Sequence, residues 1–111
     1  MTDKLILAVK IKKFIYYSDK IIVNFPNSEI TLKNKIKSTL YDTLELVYFT
    51  NSLNDKTIYQ KKIISKIKML DFYFKYSLDK KYISYKKYRK ISNKLNEIVK
   101  MLYGWINEKS K

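Results

Sequence analysis

The chain has 111 residues, with 24 Lys plus Arg against 10 Asp plus Glu, a formal net charge of +14 and 46% hydrophobic residues. That length supports one domain over residues 1–111, and the apolar content is too high for a disordered basic tail. With no Cys and no His, disulfides, thiolate chemistry, the usual zinc sites and Ser–His or Cys–His catalysis are excluded.

One Gly and one Pro are too little punctuation for a many-turned β protein. Leu7, Ile11, Phe14, Ile15, Ile22 and Phe25 follow a 3.6-residue period and predict a first helix. The β-branched run Ile21-Ile22-Val23 also suits an extended segment. Asn24-Phe25-Pro26-Asn27 breaks the pattern. Ser28 is the predicted cap of a second helix, with Glu29 in its positive first turn and Leu32, Ile36, Leu40, Leu44 and Val47 as its inner stripe. A break at Asn51-Ser52-Leu53-Asn54 leads to Asp55, the predicted cap of a third helix lined by Ile63, Ile67, Leu70, Phe74 and Leu78. After Asp79–Ile83, Ser84 caps a fourth, in which Tyr88, Ile91, Leu95, Ile98, Leu102 and Trp105 recur in steps of three and four. Four amphipathic helices with short connections predict an all-α, antiparallel four-helix bundle. Leu46, Phe49, Phe72, Tyr73 and Tyr76 widen the apolar surface beyond one stripe, which predicts self-association.

No apolar run approaches the roughly 20 residues that span a bilayer. The start, Met1-Thr2-Asp3-Lys4 and then Leu5 to Val9, is soon interrupted by Lys10, Lys12 and Lys13, unlike a signal peptide. The expectation is a soluble cytoplasmic domain, without membrane attachment, that seeks something negative. Twenty-three of the basic residues are Lys and one is Arg89, as codon usage in an AT-rich genome would produce. That bias explains the choice of Lys over Arg but not the excess over acids.

The excess is uneven. Residues 27–53 are neutral, whereas residues 54–82 and 83–111 together supply +11 of the +14. Lys61, Lys62, Lys66, Lys68 and Lys75 flank the third stripe, and Lys86, Lys87, Arg89, Lys90 and Lys94 crowd the start of the fourth helix, with Tyr85 and Tyr88 interleaved. A solvated helix face would carry acidic partners at i+4, and few exist here. An anion-binding surface is therefore expected, for nucleic acid or an acidic protein. Asp42 and Glu45 lie one turn apart near lysines and read as surface pairing rather than acid–base machinery. There is no Gly-rich phosphate loop, and no enzyme signature, catalytic residue, cofactor or metal is expected.

The C-terminal helix carries a further pattern. Ile83-Ser84-x-x-Lys87-Tyr88 precedes Ile91-Ser92, then Lys94-Leu95-Asn96-Glu97-Ile98-Val99-Lys100-Met101-Leu102-Tyr103-Gly104-Trp105-Ile106. With the Phe25-Pro26-x-Ser28-Glu29 break and Thr31-Leu32-Lys33-Asn34-Lys35-Ile36-Lys37, this resembles the Avd-like family, the accessory variability determinants of diversity-generating retroelements. The resemblance runs from about residue 25 to residue 106; the first helix matches in length and pattern. It implies a four-helix bundle assembled as a homopentameric barrel. It also implies a non-catalytic partner of a reverse transcriptase and of template RNA or other nucleic acid during mutagenic copying. By resemblance, Lys35, Lys37 and Lys75 stand for family arginines, and Lys100 for the basic residue before Met101. Asp71 stands where an arginine is expected, and Val99 and Tyr103 stand where the family has glycines. Trp105 is expected to pack, and Gly104 to permit close helix approach or begin helix termination. The small four-helix-bundle proteins of ribosomal RNA intervening sequences share much of the pattern and are the alternative. A basic bundle lying on anionic membranes is a third class, disfavoured because the apolar faces are committed to a core.

Overall fold

Helices form where the apolar spacing predicts them: α1 at Thr2–Ile22, α2 at Ile30–Asn51, α3 at Thr57–Asp79 and α4 at Tyr85–Glu108. The computed structural model describes residues 2–108, with side chains from residue 6. α1 packs on α2 and α4, and α3 packs on the same two helices. Short connections between neighbours make every adjacent pair antiparallel, the up-down-up-down arrangement of a four-helix bundle. Ile21 and Ile22 close α1 as helix and are buried, so their β-branching yields to the packing of the apolar face.

The interior follows a stricter seam than hydrophobicity alone marks. Ile36, Leu40, Thr43, Val47 and Thr50 are the buried positions of α2 after Leu32, and Gln60, Ile63, Ile67, Leu70, Phe74 and Ser77 are those of α3. These steps of three and four are knobs-into-holes spacing. Leu44 and Leu78, expected on the inner stripes, are half-buried at the margin, and so is Tyr88. Thr43 and Ser77 take the central places because their hydroxyls are satisfied within the helix. Thr43 Oγ1 donates to the Thr39 carbonyl at 2.6 Å and Ser77 Oγ to the Tyr73 carbonyl at 2.7 Å. Trp105 is buried as expected. Gly104 departs from expectation. It lies inside α4, and a Cβ there would meet no atom within 4 Å, so it neither permits a close approach nor ends the helix. Tyr103 is exposed and Val99 half-buried; neither crowds the bundle.

One of the three predicted caps is borne out: Ser84 Oγ accepts the Lys87 N–H at 3.0 Å. Asp55 lies one residue before the N-cap of α3, which is Lys56, and from there its carboxylate accepts the Thr57 N–H at 3.2 Å. Ser28 does not cap α2. Pro26, at φ −57°, starts a 3₁₀ turn over Asn27–Glu29 that contains Ser28, and α2 begins after Glu29 with no side-chain cap. Glu29 is engaged elsewhere: its carboxylate accepts the Tyr82 hydroxyl, which tethers the start of α2 to the α3–α4 connection. That bond, with burial and the Glu29 charge, pushes the Tyr82 phenol from 10.0 up to about 12. A folded value above the unfolded one means a contribution intact below pH about 10 and lost as pH climbs through about 12. Urea melts across that range should show a smaller alkaline loss for Tyr82→Phe than for the parent.

α3 ends in a Schellman motif. The Tyr82 N–H donates to the Ser77 carbonyl and the Lys81 N–H to the Leu78 carbonyl, both at 2.9 Å. Lys81 holds the left-handed position, φ 66°, where a Cβ costs about 1–2 kcal/mol relative to the right-handed conformation. Lys81→Gly should therefore raise the unfolding free energy by about 1 kcal/mol, read as a higher urea midpoint at unchanged m-value.

Candidate nucleic-acid interface

Seven of the nine basic side chains expected to bind anions line grooves on three faces of the bundle. Between α1 and α4, Lys87, Lys90 and Lys94 line a groove of about 490 Å³ with Tyr17, Asn93 and Glu97. Their spacing of three and four residues places them along one face of α4. The neighbouring groove is lined by Lys10, Lys13, Phe14, Lys94, Glu97 and Ile98, so the two share Lys94 and Glu97. Glu97 is paired with Lys10 at 3.6 Å.

Tyr17 is central to this face. The Lys94 ammonium lies 4.8 Å and the Lys87 ammonium 5.9 Å from its ring centroid, within reach of a cation–π attraction. Its hydroxyl is buried with no hydrogen-bond partner, and burial pushes its pKa up, so the phenol is neutral at physiological pH. Lys10, Lys13 and Tyr17 lie outside the nine residues expected from the sequence, because residues 1–26, with only five Lys and two acids, carry little of the charge excess. Their spacing along α1, at i, i+3 and i+7, was the readable signal.

Between α2 and α3, Lys35, Lys62 and Lys66 line a second groove of about 430 Å³, with Ser38, Thr39, Ser65, Asp42, Met69 and Tyr73. Here an acid intrudes: Asp42 lies 3.9 Å from the Lys66 ammonium, the surface pairing expected for it. Lys62 sits 5.3 Å from the Tyr59 ring centroid. Lys37 is on a third face, between α1 and α2, with Asp19, Lys33 and Asn34. Lys75 pairs with Asp79 at 3.2 Å along α3. Arg89 is exposed and lines none of these grooves. The nine residues singled out from the sequence thus do not form one patch.

Asp71, which reverses the charge the resemblance leads one to expect, accepts the Tyr88 hydroxyl at 3.2 Å across α3 and α4. Burial, with the Asp71 charge, raises the Tyr88 pKa. Tyr85 is exposed at the start of α4. Among the described residues, no helix is long and apolar enough to cross a membrane.

Comparison with curated proteins and with solved structures finds no match. The family model described as bAvd-like matches residues 5–109, which takes in all of α2, α3 and α4 and most of α1. With that coverage and its four-helix architecture, the chain belongs to the bAvd-like family.

Proposed function

We propose that this chain is a non-catalytic accessory subunit of a diversity-generating retroelement. It holds the reverse transcriptase and the template RNA, or other nucleic acid, on its basic faces and assembles as a homopentamer in the cytoplasm. The observation that carries this reading is the concentration of lysines along α4 in a member of the bAvd-like family: Lys87, Lys90 and Lys94 share one groove whose acid, Glu97, is already paired. Ammonium groups so arranged replace the counterions condensed on a polyphosphate. Self-association is supported by large apolar side chains left in solvent. Phe72 is 55% exposed and Met69 45% on α3, more than a small bundle conceals by itself.

Two measurements test it. Light scattering after size exclusion should report an assembly near five protomers; a strict monomer at micromolar concentration would sink the ring. RNA affinity measured from low to moderate salt should give a steep log–log slope, roughly −0.7 for each single-strand phosphate neutralised. A flat slope, or no binding at low salt, would remove RNA from the proposal. In the genome, a neighbouring reverse-transcriptase gene with template and variable repeats is the expected context, and a position inside a ribosomal RNA gene would favour the intervening-sequence alternative.

A further inference from the structure

The geometry points to the groove between α1 and α4 as the track that takes a nucleic-acid backbone, with Tyr17 as the residue that positions two of its lysines. This rests on the nucleic-acid part of the proposed function and narrows it to one face.

Three observations favour this face. The first is continuity. The α1 residues Lys10, Lys13 and Tyr17 and the α4 residues Lys87, Lys90 and Lys94 border two grooves that share Lys94 and Glu97. The second is spacing. Lys87, Lys90 and Lys94 follow one face of α4 and span about 10.5 Å of helix rise, so their ammonium groups form a row along the groove in the direction a backbone would run. The third is charge. Glu97, which lines both grooves, is drawn to Lys10 at 3.6 Å, so the ion pair on this face is made by Lys10 and not by Lys87, Lys90 or Lys94. In the α2–α3 groove, by contrast, the acid is drawn to one of the groove's own three lysines: Asp42 lies 3.9 Å from Lys66.

Tyr17 explains how the lysines stay in place without ligand. Two ammonium groups near each other repel, and long side chains lose rotamer freedom on binding. The negative face of the Tyr17 ring attracts both, at 4.8 and 5.9 Å, and so orders them in advance. Its unpartnered hydroxyl makes no bond that would hold either lysine, so the ring alone carries the effect.

The test uses the full chain and fluorescence anisotropy, with a labelled single-stranded RNA as one probe and labelled polyglutamate as the other, titrated across salt. Replacing Lys87, Lys90 and Lys94 together by Gln should reduce the magnitude of the RNA salt slope by about 2, since three contacts contribute roughly 0.7 each. The matched replacement of Lys35, Lys62 and Lys66 should change it by less than half as much. Tyr17→Leu should weaken RNA binding about fivefold with the slope retained, because the charges remain, and Tyr17→Phe should bind like the parent. Circular dichroism of each variant checks that the bundle is intact. If the α2–α3 replacement lowers the slope and the α1–α4 one does not, the track is misassigned while the proposed function stands. If the parent binds no RNA, both fall. If polyglutamate binds as tightly and loses as much with the α1–α4 replacement, the face belongs to an acidic protein and the nucleic-acid track is overturned.

Discussion

Phe74→Ala should lower the unfolding free energy by about 3–5 kcal/mol, the usual cost of truncating a buried aromatic ring. Phe74 is fully buried in the seam of α3. Its ring meets that of Phe14 at a centroid distance of 6.1 Å and an interplanar angle of 85°, an edge-to-face pair. α1 and α3 are not neighbours in this bundle; each packs on α2 and α4. The pair therefore crosses the centre and joins the two helices on the diagonal. Removing one ring loses its transfer free energy and leaves a void in a close-packed interior that relaxes only in part. It also forfeits the ring–ring term of about 0.5–1.5 kcal/mol. Against a typical domain stability of about 5–15 kcal/mol, this single change brings the chain near its unfolding threshold. Urea unfolding at matched protomer concentration would show it as a lowered midpoint. A loss below about 1 kcal/mol would mean that the centre of the bundle is not close-packed.

Much of this core was legible in the sequence, for a physical reason. A helix that buries one face must repeat apolar residues every three or four positions, and Ile63, Ile67, Leu70 and Phe74 do so without interruption, as do Ile91, Leu95, Ile98, Leu102 and Trp105. Reading failed where the buried residue was small and polar. Leu44 and Leu78 drew attention as apolar, yet the seam passes through Thr43 and Ser77, whose hydroxyls bond back to their own helix. Local satisfaction removes the cost of burial, and hydropathy does not record it. The same holds at the connection after α1. Ser28 has the chemistry of a cap, but Pro26 spends the next residues on a 3₁₀ turn.

The basic surface was legible as an amount and not as a place. Net charge and its uneven distribution come from composition, whereas a groove needs two helices brought together. The lysines of α4 were identifiable from their own spacing. Their partnership with Lys10, Lys13 and Tyr17 of α1 depends on the first and last helices lying side by side, a contact between distant parts of the chain. Lys75 and Asp79, one turn apart on α3, are readable from the sequence as a pair and lie 3.2 Å apart, whereas the choice of Lys66 of α3 as the partner of Asp42 of α2, at 3.9 Å, is made by the fold.

The second large effect lies at the opposite end of α3 and runs in the opposite direction. Gln60→Met should raise the unfolding free energy by about 1–3 kcal/mol. Gln60 continues the seam of α3 and is fully buried, yet neither its amide nitrogen nor its amide oxygen has a hydrogen-bond partner among the described residues. Thr50, near the end of α2, is also fully buried with an unpartnered hydroxyl. Each such group gives up its bonds to water on folding and gains nothing in return, at about 1–3 kcal/mol apiece. Met is unbranched like Gln and similar in length, so it fills the same space without overpacking and contributes apolar contact where the amide contributes none. Gln60→Ala separates the two factors. It removes the orphaned amide but leaves a cavity, so its gain is offset and its stability should fall below that of the Met variant. Urea midpoints for the three proteins, at equal protomer concentration and with unchanged m-values, decide the matter. A Met variant less stable than the parent would mean that the amide is bonded in solution, and that Gln60 is a polar anchor of this end of the bundle instead of a cost carried within it.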